Sequence, residues 1–179
     1  EQFQLDSAGW PTEVSGCPPD GFSPEGQLWG KPLFDWSRME KEGYSWWIRR
    51  IAFQFQVYDV LRIDHFRGFD SYYAIPFGEE TAVNGHWRCG TGIGFFQEAT
   101  NRLGPRDIIA EDLGFLTPSV KHMLETTGYP GMKVLEFAFD SRDSEGNAYL
   151  PHNYSQNCVV YTGTHDNDTV LGWMKNAPS

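Results

Sequence analysis

Basic residues are scarce in this sequence: 14 Lys and Arg stand against 24 Asp and Glu, a formal net charge of −10. Binding a phosphate backbone needs a basic face, so this balance argues against a nucleic-acid partner, while it suits solubility and a neutral ligand. Cysteine is scarce too. Cys17, Cys89 and Cys158 lie far apart, with no CxxC pair and no Cys/His cluster of ligand spacing, so neither a metal site nor a disulfide framework is indicated. Scattered thiols in odd number fit a reducing compartment such as the cytoplasm. No apolar run reaches the roughly 18 residues of a membrane span, and no signal-peptide pattern opens the chain. It starts at Glu1, inside motif-like sequence, where a fragment boundary is expected rather than a natural N-terminus. Repeats of fixed period and low-complexity tracts are missing. No G-x-S-x-G elbow supports a Ser/His/Asp triad, and the Gly-rich "CGTGIG" lacks the Lys-Ser/Thr of a phosphate loop.

What is present is apolar and aromatic. Of the 179 residues, 40% are hydrophobic and 16% aromatic, enough to fill the core of one domain. Seven Trp and eight Tyr are many for this length. Core packing explains any one of them; sugar binding is the sharper reading, because Trp offers a flat, rigid face with a polar handle.

Residues 1–38 are rich in Gly, Pro and Trp with little periodicity, and read as a long loop or small subdomain. From Met39 the pattern changes: Trp47, Ile51, Phe55 and Tyr58 fall on one helical face, with Ser45 expected to cap its start. Four short apolar runs follow, each a candidate buried strand. Val60, Leu61 and Ile63 end at Asp64-His65. Ile108, Ile109 and Ala110 end at Glu111-Asp112. "MKVLEFAFD" is the third, and "NCVVYTG" ends at His165-Asp166. A helix should begin at Thr117-Pro118, with Thr117 as cap and Pro118 at its first position, and another near Asp168 or Thr169. Buried strands alternating with helices imply a parallel sheet, with chemistry at the strands' C-terminal ends. About four strands are too few for a closed eight-stranded barrel, which takes roughly 250 residues. The expectation is therefore α/β, either part of a barrel or a smaller fold.

Asp64, Glu111 and Asp166 each close an apolar run. A single such residue is readily a helix cap; three on successive strands would converge on one face of a barrel. Glycosidic bond cleavage needs that convergence, with one carboxylate facing an oxocarbenium-like centre and a second carboxyl held protonated for the leaving oxygen. Arg62 shares a strand face with Asp64 and would keep it ionised. Glu111 follows "IIA", an apolar approach that favours the protonated form. Asp166, between His165 and Asn167, suits hydrogen bonds to hydroxyls. The plainer alternative is a buried Arg62–Asp64 pair with only a structural role. His86, His122 and His152 read as surface or loop residues.

"LRIDHFRGF", "IIAEDLG", "PGMKVLEFAFD", "LPHNY" and "YTGTHDNDT", in this order, resemble the glucanotransferases of glycoside hydrolase family 77, and "GCPPDGFSPEGQLWGKPLFDW" resembles their active-site loop and the segment after it. The likeness runs from about Phe3 to Trp173; "RIDHFRG" and "THDND" alone would point only to the wider α-amylase clan. The resemblance implies part of a (β/α)₈ barrel, about strands four to seven, over residues 39–179, with a loop-rich active-site segment at 1–38. It implies a retaining 4-α-glucanotransferase that moves α-1,4-glucan segments between chains. Asp64 then matches the nucleophile, Glu111 the general acid/base and Asp166 the third carboxylate. Arg62, His65 and His165 match sugar-site residues, Trp29 an acceptor-side platform, and Asp20 and Phe22 the loop that closes over the cleft. Neither metal nor organic cofactor is implied. The partners implied are maltooligosaccharide or glucan and the remaining barrel segments, with no nucleic acid or membrane, in a bacterial cytoplasm or, alternatively, a plastid. Lys31, Phe34, Thr91 and Gly21 depart from the family pattern but spare the carboxylates. Retention would place the Asp64 and Glu111 carboxyls about 5–5.5 Å apart. An α-amylase-type hydrolase, and an inactive fragment or non-catalytic glucan-binding module, are the rival readings. The chain on its own is expected to be inactive and poorly stable, since half a barrel leaves open sheet edges.

Overall fold

The computed structural model describes residues 2–21, 23–114, 116–139 and 146–176. Two layers of strands place the site. The first is an antiparallel sheet of β1 (Glu13–Cys17), β2 (Gln27–Pro32), β4 (Ser71–Pro76) and β5 (His86–Cys89), in the spatial order β2-β1-β4-β5. Val14 lies opposite Ile75, and Gly16 opposite Tyr73. With Ala82, the three larger side chains make a small core on one face. Gly16 is required here, since any side chain would run into the Gln27 carbonyl and the Ile75 methyl. Because successive side chains alternate, Ser15, Gln27, Trp29 and Tyr72 face the other way. The loop-rich segment 1–38 thus supplies two strands, and their partners come from stretches in which the sequence suggested no element. The reason is physical. In β4, Tyr73, Ala74 and Ile75 are all buried, so no period of two is visible, and β5 is exposed along its whole length.

The second layer is built from the four apolar runs, although the third is a strand only as far as Val134, and its Leu135–Phe139 part coils into a 3-10 helix. β3 (Leu61–Ile63) pairs in parallel with β6 (Ile108–Ala110), Leu61 opposite Ile108 and Ile63 opposite Ala110. β7 (Gly131–Val134) pairs in parallel with β8 (Cys158–Tyr161). The Ala110 N–H donates to the Pro130 carbonyl at 2.9 Å, and the Met132 N–H donates to Asp112 Oδ1 at 2.6 Å. These two bonds set the pairs side by side. Among the described residues β3 and β8 each keep one unpaired edge, and the barrel is not closed.

Helices α1 (Trp36–Lys41), α2 (Ser45–Gln54), α3 (Ile93–Leu103), α4 (Pro118–Thr127) and α5 (Val170–Asn176) connect and cover these strands. The core between them is aromatic: Phe95 is fully buried and packs against Trp36, Tyr44, Trp47 and Phe69. Ser45 does not cap α2. Gly43 and Tyr44 both adopt positive φ, 59° and 52°, turning the chain sharply between α1 and α2, so Ser45 becomes the first helical residue. The left-handed Tyr44 is held by burial of its ring and by a 2.6 Å hydrogen bond between its hydroxyl and that of Thr91. Packing at this corner outweighs the capping preference of a serine. Tyr58 likewise leaves the expected helical face: α2 ends at Gln54, the N–H groups of Gln56 and Val57 close four-residue turns on the Phe53 and Gln54 carbonyls, and Tyr58 is exposed. Thr117 caps α4 with Pro118 in its first turn, and the Thr169 hydroxyl accepts from the Gly172 N–H at 3.1 Å at the start of α5. Cys17, Cys89 and Cys158 are free. No helix among the described residues is long and apolar enough to cross a membrane.

Candidate active site

The C-terminal ends of β3, β6 and β8 open into one hollow of about 850 Å³, whose lining includes Asp64, Glu111 and Asp166. Three carboxylates up to 102 residues apart in sequence therefore share one cavity. Arg62, His65, His165 and Trp29 line it too. Asp20 does not: it sits in a turn where its carboxylate accepts the Ser23 N–H at 2.7 Å. Phe22 lies outside the described residues.

Each carboxylate is held differently. Arg62 Nη2 meets Asp64 Oδ1 at 2.8 Å, as two same-face positions of a strand end should. The arginine is braced further back, its Nε donating to Met132 Sδ at 3.1 Å. Asp64 is well exposed to the hollow. Glu111 extends the β3–β6 ladder, its N–H donating to the Ile63 carbonyl at 2.9 Å. Its side chain accepts two backbone N–H groups, from His65 to Oε2 at 2.7 Å and from Leu113 to Oε1 at 2.8 Å. Burial pushes the Glu111 carboxyl above its ordinary range; the two N–H bonds and Arg62 pull the other way, and the charge of Asp64 adds to the rise. The net effect is an acid that keeps its proton to higher pH.

His65 occupies the left-handed region at φ 49° and ψ 53°. That conformation aims its N–H at Glu111 while its ring stands edge-on to Trp29, with centroids 4.9 Å apart. Burial and the neighbouring Arg67 hold the imidazole below its usual pKa, against the opposing pull of Asp64, so it favours the neutral form. Asp166 and His165 ride on a turn closed by Asn167, whose Oδ1 accepts from the Thr164 N–H at 2.8 Å and from the Thr164 hydroxyl at 2.9 Å. Both side chains are exposed, 75% for His165 and 81% for Asp166.

Apart from Trp29, one wall of the hollow went unread in the sequence. Gln27, Trp29 and Lys31 alternate along β2 and face inward, joined by Ser15 of β1 and Tyr72 of β4. The Trp29 indole N–H donates to Gln27 Oε1 at 3.0 Å, which fixes the ring. No apolar/polar alternation marks "QLWGKP", where Leu28 and Trp29 are adjacent and every residue is exposed, and Gly and Pro made the stretch look like turn chemistry. Arg50 and Thr164 also line the hollow.

A profile of the glycoside hydrolase 77 family, described as 4-alpha-glucanotransferase, matches residues 1–179. The chain belongs to this family. It is 53% identical over 165 residues to the 4-alpha-glucanotransferase of Clostridium butyricum, covering 92% of this chain and 34% of that protein. It is 52% identical to the chloroplastic/amyloplastic 4-alpha-glucanotransferase of Solanum tuberosum, covering 99% of this chain and 31% of that protein. The amylomaltase of Streptococcus agalactiae in complex with acarbose superposes on it with a TM-score of 0.91 at 42% identity, over 99% of this chain and 36% of that one. This family member thus spans about one third of the length of the relatives it matches. Its mixed α/β architecture is that of amylomaltase structures.

Proposed function

We propose that this segment carries the reaction centre of a retaining 4-α-glucanotransferase and supplies about strands four to seven of a (β/α)₈ barrel. The observation that carries the reading is the convergence of Asp64, Glu111 and Asp166, from three strand ends, on one sugar-sized hollow beside Trp29. In this reading Asp64 Oδ attacks the anomeric carbon of a bound α-1,4-glucan while Glu111 gives its proton to the leaving glycosidic oxygen. The leaving chain departs, and a glucosyl ester on Asp64 remains. Glu111, now a carboxylate, removes the proton from the 4-hydroxyl of an incoming glucan, whose oxygen attacks the same carbon and frees Asp64. Asp166 holds sugar hydroxyls and favours the distorted ring. Arg62 orients Asp64, and His65 and His165 donate to hydroxyls.

Transfer instead of hydrolysis requires a site where sugar displaces water. Trp29, fixed by Gln27 and edged by His65, is the acceptor platform, and the loop between β1 and β2, which carries Asp20, closes over it once glucan binds. The substrates are maltooligosaccharide and longer α-1,4-glucans, and a bacterial cytoplasm is the proposed setting. With β3 and β8 unpaired on one side and Phe53, Val57, Tyr58 and Val60 exposed, the chain alone should be inactive, its remaining partners being the other barrel strands.

The test places this segment in the complete framework of Streptococcus agalactiae amylomaltase, in exchange for its counterpart, and supplies maltotriose. Glucose together with dextrins longer than maltotriose is expected. Shorter products alone would make the enzyme a hydrolase, and binding without turnover would make the segment a glucan-binding module. A ligand-bound structure of the same enzyme should place the Asp64 and Glu111 carboxyls about 5–5.5 Å apart; about 8 Å would speak for inversion.

A further inference from the structure

Glu136 is the one charged residue buried among the described residues, only 7% exposed. It lies just past the end of β7, where its N–H donates to the Thr162 carbonyl at 3.1 Å and continues the pairing with β8. Its side chain does not line the hollow. Among the described residues, Oε1 is fully covered and has no hydrogen-bond donor. A buried carboxylate oxygen without a donor is costly, and its retention asks for a reason.

The reason lies in what covers it. A methyl group built on Gly163 would sit 3.0 Å from Glu136 Oε1, 3.2 Å from its carboxyl carbon and 3.1 Å from the Asn167 Cβ. The carboxyl therefore fills the space beside Gly163, the residue that leads into the Thr164–Asn167 turn. That turn is internally rigid: Asn167 takes both Thr164 donors, the Asn167 N–H returns to the Thr164 carbonyl at 3.1 Å, and the Asp166 N–H reaches the Thr164 hydroxyl at 3.2 Å. A rigid turn moves as a unit, so whatever sets the height of Gly163 sets the height of His165 and Asp166 in the hollow.

We propose that Glu136 is a positioning residue: through its contact with Gly163 it is the floor on which the Asp166 turn rests. The inference rests on the proposed role of Asp166 and adds a residue to it. The contact works by shape. Lifting the turn with a side chain at 163, or dropping it by removing the floor, displaces Asp166 from the sugar ring. A displacement of this kind acts on the distorted ring of the transition state more than on ground-state binding.

The experiment uses the grafted complete enzyme described above, with steady-state transfer kinetics on maltotriose. Gly163→Ala and Glu136→Ala should each lower kcat by about tenfold to a hundredfold while KM stays within about twofold. The double variant should recover most of that loss, because the new methyl fills the space the carboxyl has left, giving a strongly non-additive cycle. Glu136→Gln, of the same shape, should retain kcat. The inference fails if Gly163→Ala keeps its kcat, if the double variant is no better than the worse single one, or if Glu136→Gln is as impaired as Glu136→Ala. Should either single variant not fold, recovery of soluble, active double variant supports the contact, and its absence counts against it. Asp166→Asn, run alongside, separates this inference from the reading beneath it. Full activity there refutes the site assignment; loss there with an unimpaired Gly163→Ala refutes only the role of Glu136.

Discussion

The backbone of His65 should matter to catalysis separately from its ring. At φ 49° and ψ 53° it stands where side chains with a Cβ are strained, and the return is an N–H aimed at Glu111 Oε2, 2.7 Å away. Consider His65→Ala and His65→Gly in the grafted enzyme. Both lose the imidazole, its edge contact with Trp29, about 0.5–1.5 kcal/mol, and any contact it makes with sugar. They differ in the backbone alone. The left-handed conformation costs an alanine about 1–2 kcal/mol, and glycine avoids this while losing about 0.5–1 kcal/mol of backbone entropy on folding. The glycine variant should therefore fold more tightly by up to about 1.5 kcal/mol. Alanine relieves its strain by rotating out of the left-handed region, which swings the N–H off Glu111. The glycine variant should then be the faster, by up to about fivefold for about 1 kcal/mol. A second readout is independent of rate. The His65 N–H lowers the pKa of Glu111, so losing that bond moves the alkaline limb of the kcat/KM profile to higher pH in the alanine variant relative to the glycine variant. Thermal unfolding and pH–rate profiles of the pair decide it. An alanine variant equal to glycine in stability, rate and limb position would show that the left-handed N–H does nothing for Glu111.

Further outcomes can be checked on the same enzyme. Because burial raises the Glu111 pKa, transfer should decline as pH rises through that raised value. The linked stability follows the same sign: Glu111 binds its proton more tightly folded than unfolded, so its contribution is present below the ordinary carboxylate range and is lost as pH climbs through the folded pKa. Comparing pH-dependent unfolding with that of Glu111→Gln should show that slope disappear. Asp64→Asn should lower transfer on the order of a thousandfold or more with the fold intact; retained activity, measured by glucose release, would remove Asp64 as the nucleophile. Phe95→Ala, at the fully buried centre of the aromatic core, should cost about 3–5 kcal/mol in denaturant unfolding. Thr117→Ala removes the hydroxyl that accepts the Val120 N–H and should cost about 1 kcal/mol.

The linear order of residues was enough for several features that depend on local pattern. Each of the four apolar runs contains one of the four parallel strands, although Arg62, Lys133 and the exposed Val160 show that only β6 is apolar throughout and well covered. Thr117-Pro118 declared its helix start, because a cap and a fixed φ act within one turn. Arg62 and Asp64 had to meet, since positions two apart share a strand face. Local pattern could not reveal pairings between distant segments. β1 joined to β4 across more than 50 residues, and the inward Gln27, Trp29 and Lys31 of β2 on its other side, depend on a register that no local period encodes. The same holds for Tyr44, whose left-handed turn is set by a ring buried against α3, overriding the cap that Ser45 offered. It holds for Glu136 as well, one letter in an apolar run until β8 lays Gly163 over it. That Asp64, Glu111 and Asp166 close strands could be seen from side-chain type and spacing along the chain. How far Glu111 holds its proton, and where Asp166 stands, are consequences of desolvation and contact, and these exist only once the chain has closed on itself.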